Sequence, residues 1–93
     1  MTGKEITISD DIYQAPMLRM GKGICIMREL AKGNTVRTFS GKQINYEGCL
    51  LTYLWGRKKM KEAEGSLFQK EIEIMDRMMC NLTDKLNLNA LPI

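Results

Sequence analysis

Apolar positions recur at two different periods along this chain, and the change of period divides it. Over residues 4–9, KEITIS, polar and apolar residues alternate with Ile6 and Ile8 on one side, the two-residue period of a short strand. Asp10 and Asp11 end it. Pro16 suits the first position of a helix, where its missing N–H costs nothing. From there Met17, Met20, Ile24, Met27 and Ala31 recur every three or four residues, and Gly33 follows as a left-handed C-cap. Gly21 and Gly23 weaken this helix, each by up to about 1 kcal/mol relative to alanine. Residues 35–39, TVRTF, return to alternation around Val36 as a second strand.

The second half keeps the helical period throughout. Ser40 with Gln43, and Ser66 with Gln69, both match the S-x-x-Q capping box, in which two side chains satisfy each other's orphan backbone N–H groups. A helix from about 42 to 64 is expected after the first box, unless Gly56 breaks it at Trp55. After the second, Phe68, Ile72, Met75, Met79, Leu82 and Leu86 form one seam, with Gly65 placed for a tight turn between two antiparallel helices. Leu67, Ile74 and Met78 widen that seam to an arc of roughly 160° at 100° per residue. The preceding helix is apolar on two faces: Ile44, Leu51 and Trp55 on one, Tyr46, Leu50, Tyr53 and Leu54 on the other. Two helices this apolar must bury their second faces, against the N-terminal segment, a second subunit or a partner protein.

The fold class that follows is mainly α within α+β: a strand–helix–strand segment over 4–39, then a long antiparallel αα-hairpin over 40–88, and a tail at 89–93 that carries Pro92. With 93 residues the chain makes one small domain. Its 44% apolar and 27% charged content fits a folded globular chain rather than a disordered one. No apolar run reaches the roughly 20 residues of a membrane-spanning helix. The first residues lack the basic and apolar regions of a signal peptide, and Cys25, Cys49 and Cys80 are odd in number and set among apolar residues. A cytoplasmic protein with three reduced core thiols, acting away from the membrane, is the expectation.

Charge and residue chemistry narrow the function more by exclusion than by motif. The chain has no histidine, which removes the commonest general base and the usual nitrogen ligand for transition metals. No C-x-x-C pair offers a zinc site, and the glycines of MGKGICIM match neither the P-loop nor the dinucleotide fingerprint. Asp10–Asp11 lacks a third acidic ligand nearby and reads as a turn. Glu71 projects into the apolar arc of the last helix, but a first-turn glutamate reaching solvent accounts for it. The Asn81 sequon lies inside the helical seam, where glycosylation does not reach. These observations imply no catalytic residue, no metal and no cofactor.

Two classes of function remain. The eight methionines and the doubly apolar helices suit a non-enzymatic interaction protein that binds a protein partner and forms a homo-oligomer. Such a protein would be a small regulator or inhibitor of the sort that phages and mobile elements carry as accessory factors. Leu50, Tyr53, Leu54, Ile74 and Met78 are the candidate contact residues. The alternative is a nucleic-acid or nucleotide-phosphate module. Arg57, Lys58, Lys59 and Lys61 supply four of the fourteen basic residues and leave ten against eleven acidic ones elsewhere. Attraction for phosphate would therefore rest on that segment, with Trp55 or Tyr53 beside it to stack a base. The stretch 28–47 fits a helix-turn-helix poorly.

Overall fold

The computed structural model describes residues 3–11, 13–64 and 66–86. Its elements run β1 (Glu5–Ile8), α1 (Pro16–Ala31), β2 (Thr35–Thr38), β3 (Gln43–Ile44), α2 (Tyr46–Glu64) and α3 (Gln69–Lys85). The protein is mainly helical with one small sheet. The turn expected at Gly65 and the tail at 89–93 lie outside the described residues.

The first half follows its hydrophobic pattern closely. β1 and β2 pair in parallel, Glu5 opposite Thr35 through Ile8 opposite Thr38, with α1 as the crossover between them. Alternation puts Ile6, Ile8, Val36 and Thr38 on the covered side of the sheet, while Glu5, Thr7 and Thr35 face water. Pro16 opens α1, and Gly33 closes it at φ +88°. The Gly33 N–H donates to Leu30 O (3.0 Å) and the Asn34 N–H to Glu29 O (3.1 Å). That pair of bonds is a Schellman motif, which satisfies carbonyls the helix end would otherwise leave free. Asn34 then joins helix and sheet, because its side chain accepts from the Lys4 N–H and donates to Glu29.

Neither expected capping box forms. Gly41, at φ +95°, turns the chain so that β3 pairs antiparallel with β2, Val36 opposite Ile44. Ser40 faces Asp10 instead, donating its N–H and its hydroxyl to that carboxylate at 2.9 and 2.5 Å. The cap of α2 is Asn45, whose Oδ1 accepts the Gly48 N–H at 2.8 Å. At α3 the Gln69 side chain bonds forward to Glu73 rather than back to residue 66, and helix proper starts at Gln69.

α1 lies at the centre. It packs against α2, α3 and β2, and it buries Met20, Gly23, Ile24, Ile26, Met27 and Leu30, a wider surface than the seam alone. α2 and α3 follow one another through residues 66–68, but the main neighbour of each is α1. The glycines have a packing role here. A Cβ at Gly23 would lie 3.1 Å from the Tyr53 Cβ, and one at Gly56 only 2.5 Å from the Pro16 carbonyl oxygen. Both positions let α1 and α2 approach closely, and α2 runs unbroken through Gly56. The core face of α2 is thus Cys49, Leu50, Tyr53, Gly56 and Met60. Counting only large apolar residues hides that seam. Ile44 belongs to β3, and Leu51 is 62% exposed.

Candidate interaction surface and a polar clasp

The expected contact residues separate into two sets. Tyr53 is wholly buried, Leu50 nearly so, and Leu54 packs half-buried against the core, so these three hold the domain together. Ile74 and Met78 are 50% and 37% exposed, and Leu67, in the turn before α3, is 69% exposed. The opposite face of α3 buries Ile72, Met79 and Leu82, with Phe68, Met75 and Leu86 packed beside them. The arc read from the sequence therefore divides into a core seam and an apolar stripe left facing water. Glu71 is exposed in the first turn.

The basic segment is dispersed by the fold. The Arg57 guanidinium holds Asp76 of α3 through Nε, 3.0 and 2.9 Å from its two oxygens, and through a terminal nitrogen at 2.9 Å. The Tyr53 hydroxyl donates to the same carboxylate at 2.5 Å. Such forked, charge-assisted bonds are among the strongest a surface-to-core pair can form. Burial, and after it the Asp76 carboxylate, push the Tyr53 phenol well above its ordinary range. Trp55 is half-buried, with the Arg19 guanidinium 3.8 Å from its ring centroid and the Lys59 ammonium 5.9 Å away. A base would have to displace a cation to stack there. Lys58 and Lys61 are exposed, and Lys59 pairs loosely with Glu62 at 3.8 Å.

Asp76 is the residue that sequence reasoning missed. It stands one turn after Ile72 and three residues before Met79, inside the buried seam, and that spacing was the available signal. The cysteines also differ from expectation. Cys49 alone is a core thiol, its S–H donating to Gly23 O at 2.8 Å and its pKa pushed up to about 12 by burial. Cys25 is exposed, because it lies on the outer side of α1, and Cys80 is half-covered. Among the described residues no cluster of three metal-ligating side chains gathers, and no helix is long and apolar enough to cross a membrane.

A second feature lies beyond the carboxyl ends of β1 and β2. There the loop after β1 and the turn between β2 and β3 are joined by the Asp10–Ser40 bonds. The Ser40 hydroxyl hydrogen is given to Asp10, so the Thr38 hydroxyl donates to Ser40 at 3.0 Å. These bonds hold the Asp10 carboxyl below the usual range, the Ser40 side chain contributing most. Lys22, from the MGKG stretch, donates to the carbonyls of Ser9 and Asp11 at 3.2 and 2.6 Å and so anchors the same loop from mid-helix.

Comparison with protein-family models, with curated proteins and with solved structures finds no match to this chain.

Proposed function

We propose that the protein is a non-enzymatic interaction protein, a small cytosolic regulator or inhibitor, that docks a protein partner and a second copy of itself on the outer stripe of α3. The observation that supports this is the Ile74 and Met78 stripe, open to water on a helix whose other side is buried, with the exposed Leu67 in the turn before it. Apolar side chains at helical spacing are the anchors of helix-in-groove and helix–helix recognition. Each contributes on the order of 1 kcal/mol when covered, because part of it is already shielded. Phosphate recognition by residues 57–61 is disfavoured, since Arg57 is committed to Asp76 and Arg19 lies over the Trp55 ring.

Light scattering after size exclusion tests the reading with Ile74→Glu and Met78→Glu. Both side chains point outward, so the variants should keep the wild-type helical signal and melting temperature. Wild type should elute above monomer mass at about 100 μM, and both variants as monomers, the behaviour of an interface in the micromolar range. A wild-type protein that stays monomeric at that concentration, or an oligomer indifferent to both charges, would sink the self-association.

A further inference from the structure

An open cavity of about 450 Å³ lies at the carboxyl ends of β1 and β2, between the parallel βαβ unit, β3 and the first turns of α2. That is a size typical of small-molecule sites, and the carboxyl ends of parallel strands are where open α/β sheets bind ligands. Its apolar lining is Ile8, Ile26, Ile44 and the inert Cys49 thiol. Three cations line it as well: Arg19 and Lys22 from α1, and Lys42 from the turn before β3. None of them pairs with a carboxylate among the described residues. Lys22 is spent on the loop carbonyls. The Arg19 guanidinium lies over the Trp55 ring and uses Nε on the Tyr13 carbonyl at 3.0 Å, and its two terminal amino groups have no hydrogen-bond acceptor among the described residues. Lys42 has no side-chain partner at all among them. Two carboxylates also border the cavity. Asp10 is occupied by Ser40, and Asp11 is exposed at the rim.

We propose that this cavity binds a small organic anion, a phosphate ester or carboxylate with a compact apolar body. Lys42 and the free amino groups of Arg19 take the anion, and the isoleucine lining takes the body. The site is separate from the α3 stripe and does not depend on it. The cations come from two distant parts of the chain, α1 and the turn before β3, which the fold sets around one cavity.

Amide-resolved NMR titration distinguishes the outcomes, with phenyl phosphate, benzoate, inorganic phosphate and neutral benzyl alcohol as probes. Phenyl phosphate or benzoate should shift the amides of residues 8–11 and 40–45 saturably, and whichever binds more tightly identifies the anion. Inorganic phosphate and benzyl alcohol should each bind at least about tenfold more weakly, since each lacks one half of the recognition. Lys42→Ala should weaken phenyl phosphate by about tenfold, the loss of one charge-assisted hydrogen bond, while Lys42→Arg stays within about threefold. The Lys42 side chain supports nothing else, so both variants should keep the wild-type spectrum outside the cavity. No saturation by about 10 mM probe, equal shifts from benzyl alcohol, shifts centred on residues 57–62, or an unchanged Lys42→Ala would each overturn the assignment.

Discussion

Gly56→Ala tests how closely the two main helices meet. On an open helix this change is favourable, because alanine exceeds glycine by about 1 kcal/mol. At Gly56 the new methyl would lie 2.5 Å from the Pro16 carbonyl oxygen, 2.9 Å from the Met20 Cγ and 3.2 Å from the Met20 backbone nitrogen. Met20 is wholly buried, and the Pro16 carbonyl is backbone at the first turn of α1, so neither yields readily. Relief requires α1 and α2 to separate, and overpacking costs about 1–3 kcal/mol, a backbone clash lying at the upper end. The net expectation is a loss of about 2 kcal/mol, a melting temperature lower by roughly 8–16 °C for a domain of this size. Gly21→Ala is the matched control. A Cβ there meets nothing within 4 Å, so the propensity gain stands alone and the melting temperature should rise by a few degrees. Gly23→Ala, at 3.1 Å from the Tyr53 Cβ, should fall between them. Urea and thermal unfolding followed by far-UV circular dichroism give all three values. A Gly56→Ala protein as stable as Gly21→Ala would refute the close crossing.

Two further expectations concern the polar networks. Asp76→Ala leaves the Arg57 charge and the Tyr53 hydroxyl without their acceptor. Breaking a fully buried pair costs about 3–5 kcal/mol, but the Arg57 and Asp76 side chains keep 18% and 10% of their exposure, so about 2–3 is expected. Asp76→Leu combined with Arg57→Met should recover much of that in urea unfolding, and an Asp76→Ala protein within about 0.5 kcal/mol of wild type would deny the clasp its role. The Asp10 carboxyl is held below its unfolded value, so its contribution is present above about pH 4 and is lost as the pH falls through its folded value. The Ser40 amide resonance should therefore move upfield between about pH 5 and pH 2, and Asp10→Asn should abolish that titration; persistence of the full shift in the variant would assign it to another group.

Elements closed by local chemistry were legible in the sequence. β1, α1 and β2 lie where their periods put them, because Pro16 and Gly33 define the ends of α1 through backbone geometry alone. The seam of α3 was legible from its period alone, since no side chain caps the start of that helix. What escaped were decisions made between distant residues. Ser40 and Gln43 have the spacing of a capping box, yet Asp10, thirty positions away, takes the serine and frees the chain to form β3. Asn45, adjacent to the true helix start, was overlooked as the cap. Arg57 read as one member of a basic run because its partner, nineteen residues further on, was invisible to a local pattern. The cavity cations escaped likewise: Arg19 and Lys22 sit in α1 and Lys42 in the turn before β3, and only the fold sets them around one cavity.

The central position of α1 also determines how the chain can be divided. β1 and β2 are joined through it, α2 rests on its close-packed glycine face, and α3 takes it as its main neighbour. Taken alone, residues 46–86 would turn the core sides of Tyr53, Ile72 and Met79 toward water, with the Asp76 clasp as their direct polar link. Residues 5–38 alone would leave Met20, Ile24 and Met27 equally uncovered. Modularity thus stops at the level of the whole run from β1 to α3. That run is the smallest piece that recombination could transplant with its interior intact, and an insertion finds room on its surface loops rather than at any internal boundary.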